Sequence, residues 1–299
     1  MTTAFHPGER AVQRRMGVDQ RLAEIGPRVI RDHLPEQHRQ FFAQLPFLIA
    51  GTVDDTGQPW ASVLANAPGF VQSPDARSLS VQARPLPFDP LQHTLRPGGS
   101  IGLLGIEPQT RRRNRLNGVV EAMDDDGFTV QVQQSFGNCP KYIHQRRATP
   151  AAGPGEAQAH RAGRLDAAAQ RLIRAADTFF IATAFTRTAD GDRSHGVDVS
   201  HRGGPAGFVR IDDDRTLTVP DYVGNFFFNT LGNLVVNPRA GLLFIDFTRG
   251  ELLYLAVDAR LIWDGPEVDA VDGAERLMRF SVREALRVEG SLPLAWREA

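Results

Sequence analysis

The sequence predicts a mainly β chain with flanking helices, in which one small antiparallel barrel occurs twice. Three observations support this prediction: short strings recur in the same order, each copy opens with a helical stretch, and short apolar strands then follow with few helices between them. Short, regularly spaced strands broken by turn residues are typical of small antiparallel barrels. A chain of 299 residues is long enough for two such domains.

The repeat rests on four pairs of similar strings. The pairs are PGFV 68–71 with AGFV 206–209, SLSV 78–81 with TLTV 216–219, IGLLGIE 101–107 with AGLLFID 240–246, and FLIAGT 47–52 with FFIATA 179–184. Their offsets are 138, 138, 139 and 132 residues. A stable offset of this kind indicates a repeated structural unit. We therefore expect domains at 1–150 and 151–299 that form an internal pseudo-dimer, with a ligand groove at the seam between them.

Local patterns place the other elements. Apolar residues at three- and four-residue spacing predict helices within 30–45 and 156–176. Residues 54–59 carry hairpin-turn chemistry, and the Ala-, Pro- and Gly-rich stretch 148–157 is typical of a linker. Residues 140 onwards, after the turn at Gly137, are expected to begin a helix with Pro140 in its first turn.

Composition narrows the class of protein. Hydrophobic residues make up 41% and charged residues 23%, and the formal net charge of −1 argues against a general nucleic-acid binder. The N-terminus shows no signal-peptide pattern and the longest apolar run, at 45–53, is too short for a membrane span, so a cytoplasmic protein without membrane contact is expected. One cysteine and no paired-histidine spacing make a metal site unexpected.

The segment TRRRNRLNG at 110–118 concentrates positive charge. If it continues as a strand, Arg111, Arg113 and Arg115 share one face at about 7 Å spacing. Guanidinium groups placed in this way repel one another unless an anion or carboxylates lie against them. Two interpretations stay open: a site for a phosphate or other acidic group, or a solvated edge strand protected by its charges.

Two segments of the second copy are also candidates. In VDVSHRGG at 197–204, Asp198, Ser200 and Arg202 alternate on one strand face, ahead of two glycines that allow close approach to the backbone. The corresponding stretch of the first copy has no such arginine, which favours one functional site per chain. The segment at 219–234 combines aromatic residues with turn and capping residues, among them Pro220, Asp221, Asn225 and Asn229. Asn229 or Thr230 could cap a short helix there, while the phenylalanines fill a barrel mouth.

The segment SFGNCPKYI at 135–143 holds Cys139, the one cysteine of the chain. No second cysteine and no suitably spaced histidine base accompanies it, so a nucleophilic role is disfavoured. Asn138 and Lys141 lie beside it after a predicted strand. We expect these two residues to contact an anionic ligand at the edge of the groove.

Several of these strings together resemble a known family. FHPGE (5–9), RRRNRLNG (111–118), SFGNCPKYI (135–143) and NPRAGLLFIDF (237–247), with the segments at 198–210, 220–225 and 230–234, are similar to flavin-nucleotide-binding proteins related to pyridoxamine 5'-phosphate oxidase. The resemblance covers nearly the whole chain. It implies two tandem FMN-binding split β-barrels, with FMN in the groove between them and its phosphate held by Arg, Lys, Ser or Thr side chains.

The resemblance also implies roles for single residues. Ser200 and Arg202 match the strand beside the isoalloxazine ring, and 220–225 matches the turn along the ribityl chain and phosphate. The sequence departs from the family pattern at Phe226 and Phe227, where relatives often carry two basic residues. Arg202 and the arginines of 111–115 would then have to hold the phosphate.

The sequence is compatible with three functions. The first is an FMN-dependent oxidoreductase that passes electrons from a reduced donor to a small-molecule substrate or acceptor, with a separate reductase as a possible partner. The second is a flavin carrier or sensor without turnover, and the third is a nucleotide or polyanion binder without flavin, which the near-zero net charge disfavours. Pairing of two chains as a homodimer is compatible with all three.

Overall fold

The structure is a computed structural model that describes residues 4–151, 155–186, 193–224 and 226–298. Its helices are α1 (Pro7–Arg15), α2 (Asp19–Val29), α3 (Glu36–Ala43), α4 (Leu91–Thr94), α5 (Ala167–Ala175), α6 (Asn229–Val236) and α7 (Pro266–Asp269), with a 3₁₀ turn at Pro108–Thr110. Within these described ranges, no helix is both long enough and apolar enough to cross a membrane.

The strands account for most of the regular secondary structure. Those of the first half are β1 (Phe47–Val53), β2 (Pro59–Ala65), β3 (Val71–Gln72), β4 (Ser78–Val81), β5 (Ser100–Glu107), β6 (Arg112–Met123), β7 (Phe128–Gly137) and β8 (Arg146–Pro150). Those of the second half are β9 (Gln158–Ala162), β10 (Thr178–Phe185), β11 (Gly196–Gly203), β12 (Arg210–Ile211), β13 (Thr216–Tyr222), β14 (Arg239–Ile245), β15 (Leu252–Ile262), β16 (Ala274–Glu289) and β17 (Leu294–Glu298).

Two antiparallel sheets have the same strand order. The first runs β2-β1-β5-β6-β7-β4-β3, and the second runs β11-β10-β14-β15-β16-β13-β12 with β9 added beside β16. Each strand of the first sheet therefore has a counterpart nine strands later in the chain. The predicted mainly β, antiparallel class is confirmed, while the domain boundary at 150/151 stays a prediction.

The registers of the two sheets correspond residue by residue near the middle. Leu104 of β5 lies opposite Arg115 of β6, and Leu243 of β14 lies opposite Tyr254 of β15. Because the neighbouring strands follow the same register, Arg115 and Tyr254 occupy corresponding positions in the two sheets.

Each sheet has its own apolar core, and a third core lies between the sheets. Phe41 and Phe42 of α3 pack into the first sheet, and Ile173 of α5 packs into the second. The third core joins β1, β2 and β5 to β10, β14 and β15, with Ile49 and Leu243 among its buried members. Burial of apolar area on both faces thus holds the halves together.

Glycines let the sheets approach closely. A Cβ atom on Gly102 of β5 would lie 2.7 Å from the carbonyl oxygen of Val197 in β11. Gly241 of β14 is pressed in the same way against the backbone of Pro59 and Trp60 at β2. Any larger residue at these two positions would push the sheets apart, which explains glycine in both.

Three local expectations are wrong, and the helix of a fourth is shorter than expected. The helix predicted within 156–176 is shorter, because 158–162 pairs with β16 as β9, and α5 starts after the capping carboxylate of Asp166. The stretch 148–157 is not simply a linker, since its first residues belong to β8 and pair with β17. The helix expected after Gly137 is absent: residues 138–145 are irregular and lead into β8. Within 30–45, the helix is limited to α3, which starts after Pro35.

Candidate functional site

A cleft lies where the start of β6 and the segment after β7 meet the second sheet. It contains about 980 Å³ of empty space, counted out to its open mouth. Its lining comes from both halves of the chain: Leu104, Arg113, Arg115, Asn138, Cys139, Lys141, Tyr142, Ser200, His201, Arg202, Gly203, Phe208, Pro220, Asp221, Tyr222, Val223, Gly224, Phe226, Phe228, Asn229, Thr230, Leu231, Glu275 and Arg276. We refer to this cavity as the cleft.

Strand β6 brings two arginines to the cleft rather than three. The strand begins at Arg112, and Arg111 lies before it as an exposed residue with a left-handed backbone (φ 54°). The expected shared face therefore consists of Arg113 and Arg115, while Arg112 turns the other way and covers the ring of Phe41. The sharp turn that follows the 3₁₀ helix is the reason that Arg111 is excluded from the face.

Arg115 is buried, and its two terminal nitrogens join a hydrogen-bond network across the two sheets. Its Nη1 donates to Asp198 Oδ1 at 2.7 Å and to Asn229 Oδ1 at 3.0 Å, and its Nη2 donates to Ser200 Oγ at 2.6 Å. Thr230 and Ser200 share a further hydrogen bond at 3.0 Å. Burial lowers the pKa of Arg115, although the Asp198 carboxylate opposes that shift. Arg115 thus builds the wall of the cleft.

Arg113 lies beside Arg115 and is less constrained. Its Nε donates to the carbonyl oxygen of Cys139 at 2.8 Å, and its Nη1 lies 2.9 Å from Nδ1 of His201. Burial, followed by repulsion from Arg113 and Arg202, lowers the pKa of His201 well below its usual value, so the imidazole is neutral and accepts from Arg113. Burial also lowers the pKa of Arg113 to about 10, where it is still cationic at neutral pH.

Two further arginines clamp one carboxylate at the cleft. Asp221 of β13 accepts from Nη1 of Arg202 and, at 2.7 Å, from Nη1 of Arg276 in β16. Nε of Arg202 is buried and has no hydrogen-bond partner among the described residues. The Nε–H of Arg202 is therefore available to a ligand although the side chain is paired with Asp221.

The segment 138–145 forms the outer rim. Lys141 is exposed and forms neither an ion pair nor a hydrogen bond with the parts of the chain that the structure describes. It is also the one lysine among the 34 Lys and Arg residues of the sequence. The backbone carbonyl of Cys139 accepts a hydrogen bond from Arg113. The side-chain oxygen Oδ1 of Asn138 is buried without a partner in the described structure.

Aromatic side chains in unusual backbone conformations line the mouth. Tyr142, Phe226 and Phe228 have φ values of 64°, 63° and 62°, which L residues rarely adopt. The Tyr142 and Tyr222 rings stack with centroids 5.3 Å apart and an interplanar angle of 28°. Such conformations cost free energy and persist where surrounding structure holds them, often at binding sites. Tyr142 and Phe226 are more than one-third exposed, so flat apolar surface faces the opening.

Positive charge dominates the lining. Five lining residues are cationic, namely Arg113, Arg115, Lys141, Arg202 and Arg276, and two carry carboxylates, namely Asp221 and Glu275. A cationic cleft with exposed aromatic faces suits an anionic ligand that has a flat ring system. The described parts of the chain contain no group of three or more His, Cys, Asp or Glu side chains that could hold a metal ion.

Most of the sequence-predicted site residues come together here. The cleft is lined by Arg113, Arg115, Asn138, Lys141, Ser200, Arg202, Pro220, Asp221 and Asn229. Asp198 stands behind Arg115, Arg111 lies outside, and Asn225 falls outside the described residues. The N-cap of α6 is Phe228, with no side-chain cap, so Asn229 and Thr230 do not cap it and turn to Arg115 and Ser200 instead. That these residues hold a cofactor stays a prediction.

Sequence reasoning missed several lining residues. Tyr142, His201 and Tyr222 lie within quoted segments but were not singled out. Glu275 and Arg276 lie in no segment that the sequence marked. Arg276 reaches Asp221 because β16 pairs with β13 in a register that places the two residues opposite each other. For Phe226 and Phe228 there was one weak indication in the sequence: the helix-breaking residues around 220–225 predict an irregular backbone before α6.

The corresponding position in the other sheet is closed. Tyr254 takes the place of Arg115, and its hydroxyl donates to Asp89 Oδ2 at 2.8 Å, while Ser62 donates to Asp89 Oδ1 at 2.5 Å. All three side chains are buried, with relative exposures of 0%, 1% and 0% for Tyr254, Asp89 and Ser62. Burial raises the pKa of Asp89 to about 6. The chain has therefore filled one position and left the other open.

Comparisons with known proteins give no family assignment. No protein-family model matches the chain, and no curated protein matches it. Among solved structures, HupZ of Group A Streptococcus is 15% identical, with a TM-score of 0.30, covering 41% of this chain and 93% of its own. A Lactobacillus delbrueckii protein described as a candidate pyridoxamine 5'-phosphate oxidase is 14% identical at a TM-score of 0.31, covering 42% of this chain and 94% of its own.

A third similar structure is described as an FAD-binding protein of Mesorhizobium loti. It is 11% identical, with a TM-score of 0.28, and covers 45% of this chain and 99% of its own. Each of these three solved proteins thus matches less than half of this chain. Similarity at this level fixes neither a fold nor a ligand.

Proposed function

We propose that the chain binds one flavin mononucleotide in the cleft and uses it as an electron-transfer cofactor. The observation that carries the proposal is the convergence of Arg113 and Lys141 from the first half with Arg202 from the second on one aromatic-lined cavity. In this view each sheet with its helices is a split barrel, the halves are domains 1–150 and 151–299, and FMN lies between them.

The residues present fit the phosphate end of such a ligand. Arg202 retains a buried Nε without a described partner, Lys141 is unpaired within the described chain, and Arg113 uses only Nε and Nη1. Charge-assisted hydrogen bonds from several donors are what a phosphate dianion requires. These three cations replace the basic residues that the sequence lacks at Phe226 and Phe227.

The residues also fit the ring end. Phe228 and Tyr222 line the cleft, and Phe226 and Tyr142 present exposed ring surface at its mouth. An isoalloxazine ring is flat and large, and stacking against aromatic side chains excludes water from its faces. Asn138, with an unpartnered buried Oδ1 within the described structure, supplies an acceptor for a ring N–H.

FMN, when bound, supplies hydride and single-electron chemistry. The protein binds the ring, orients it, and places cations near it, which favours a reduced, anionic ring. A small-molecule substrate or acceptor would enter through the same mouth, and a separate reductase could deliver electrons there.

A second candidate function is a flavin carrier or sensor without turnover. One feature favours it: the cleft offers no unengaged acid among its described buried groups, since His201 is neutral and bonded to Arg113 and Asp221 is clamped by two arginines. An enzyme that needs a general acid would have to draw it from solvent or substrate.

The decisive experiment is an FMN titration of the purified protein, followed by quenching of flavin fluorescence. We expect saturation at one FMN per chain and clearly weaker binding of riboflavin, which lacks the phosphate. Bleaching of the bound flavin by NADH or NADPH supports the oxidoreductase, and bound flavin that no donor or reductase reduces supports the carrier. A protein that takes up neither compound contradicts both, and binding of ATP or RNA without flavin would support a polyanion binder.

A further inference from the structure

The N-terminal helix α1 contributes to the cleft although it lies far from it in sequence. It packs against α6, where Gly8 and Gly232 bring the two backbones together. A Cβ atom on Gly232 would lie 2.5 Å from Cγ of Glu9. Gln13 also donates to the carbonyl oxygen of Phe227 at 3.1 Å, so α1 holds the start of α6 at two points.

This packing delivers a carboxyl group behind the cleft wall. Glu9 is buried, accepts from the backbone N–H of His6 at 2.8 Å, and accepts from Nδ2 of Asn229. Oδ1 of the same Asn229 accepts from Arg115 at 3.0 Å. An amide has one donor end and one acceptor end, so these two contacts fix which way the Asn229 side chain faces.

We propose that Glu9 is a positioning residue of the cleft: it orients the Asn229 amide, and through it the Arg115 guanidinium, and it sets the charge behind the anion site. This inference rests on the proposed function in one respect only, namely that the anion bound in the cleft is FMN. The hydrogen-bonded path from Glu9 to Asn229 to Arg115 is independent of any ligand.

The charge of Glu9 matters because of what faces it. The charged and titratable groups around its carboxyl are His6 at the N-cap of α1, Arg115 from β6 and Asp198 from β11, with the neutral Asn229 from α6. Burial, the largest influence, raises the pKa of Glu9 to about 8. Below that pH the group is neutral, and above it a second carboxylate joins Asp198 beside Arg115.

An added negative charge at this place opposes an anion in the cleft. We expect the affinity for FMN to fall about 5-fold as pH rises from 7 to 9, beyond the change caused by the ligand's own ionisation. Inorganic phosphate, tested as a competitor, should show the same dependence. Riboflavin, which carries no phosphate, should show a smaller one.

The test uses Glu9→Gln, which has the shape of the neutral acid and cannot ionise. It should bind FMN as the wild type does at pH 7, with the decline above pH 8 removed. Glu24→Gln, on an exposed position of α2, is the matched control and should keep the wild-type profile. A wild-type profile in Glu9→Gln would overturn the proposal.

A second measurement separates this inference from the proposed function. Glu9→Ala, Asn229→Ala and the double variant are compared by urea unfolding of the ligand-free full chain. If the two side chains act together, the midpoint shift of the double variant is smaller than the sum of the single shifts. Additive shifts would overturn the positioning role, whether or not FMN binds.

Discussion

Nη2 of Arg115 lies 2.6 Å from Oγ of Ser200, and this hydrogen bond joins a residue of the first sheet to a residue of the second. Both side chains are buried, with relative exposures of 4% and 7%. The wall of the cleft therefore exists only when the two sheets are docked. Binding and docking of the halves are linked for this reason.

Loss of Arg113 or Arg202, each of which has unused N–H donors, should weaken FMN binding. Arg113→Ala and Arg202→Ala each remove a charge-assisted donor, which is worth about 1.5–3 kcal/mol, or roughly 10-fold or more in affinity. Arg111→Ala, from the exposed turn just before β6, is the control and should leave affinity unchanged. Fluorescence titration measures all three, and an equal loss in the Arg111 variant would show a general charge effect instead of a site.

Lys141 offers a spectroscopic test because it carries the one lysine ε-amine of the chain. Reductive methylation with ¹³C-formaldehyde should give one lysine resonance, besides that of the terminal amine. Since Lys141 lines the cleft, we expect FMN to shift the resonance and riboflavin to shift it less. A resonance that stays in place while FMN saturates the protein would remove Lys141 from the phosphate end.

Arg115→Ala should destabilise the protein as well as the cleft. The change leaves the Asp198 carboxylate buried, at 4% exposure, without its ion-pair partner. Breaking a buried pair on one side costs about 3–5 kcal/mol, which urea unfolding would detect. Arg260→Ala, at an exposed position of β15, serves as the strand control and should change stability by about 0.5 kcal/mol or less.

Asp89 should give stability a pH dependence in the acidic range. Its pKa is raised from 3.8 to about 6, so between these values the folded chain holds a proton that the unfolded chain has lost. The free energy of unfolding should therefore fall by roughly 3 kcal/mol as pH rises from about 4 to above 6. Asp89→Asn, whose amide oxygen still accepts from the Leu91 backbone N–H and which does not ionise, should flatten that part of the curve. A slope unchanged in this variant would assign the effect to other groups.

Much of the site was predictable from local sequence, and the reasons are physical. Charge clustering at 111–115 and alternation at 198–202 are properties of single strands, so they identified Arg113, Ser200 and Arg202 directly. Arg111 was lost because one left-handed residue before a strand changes which side chains share its face. Alternation alone cannot place that turn.

Other parts depended on contacts between distant segments. Glu9 reaches Asn229 across 220 residues, and Arg276 reaches Asp221 through the pairing of β16 with β13. The helix expected after Gly137 followed local turn rules, but residues 138–142 instead run along the rim, with the carbonyl of Cys139 held by Arg113. Local propensity has little influence where such tertiary contacts decide the backbone.

The closed position at Tyr254 has a consequence for how such a molecule can evolve. In an assembly of two identical chains, every substitution appears at both corresponding places, so a change that seals one cleft seals the other. Here Arg115 and Tyr254 are separate codons in one chain. In a single chain the two positions can change independently. The position of Arg115 is polar and borders an open cleft, whereas the position of Tyr254 is filled and belongs to the core between the sheets.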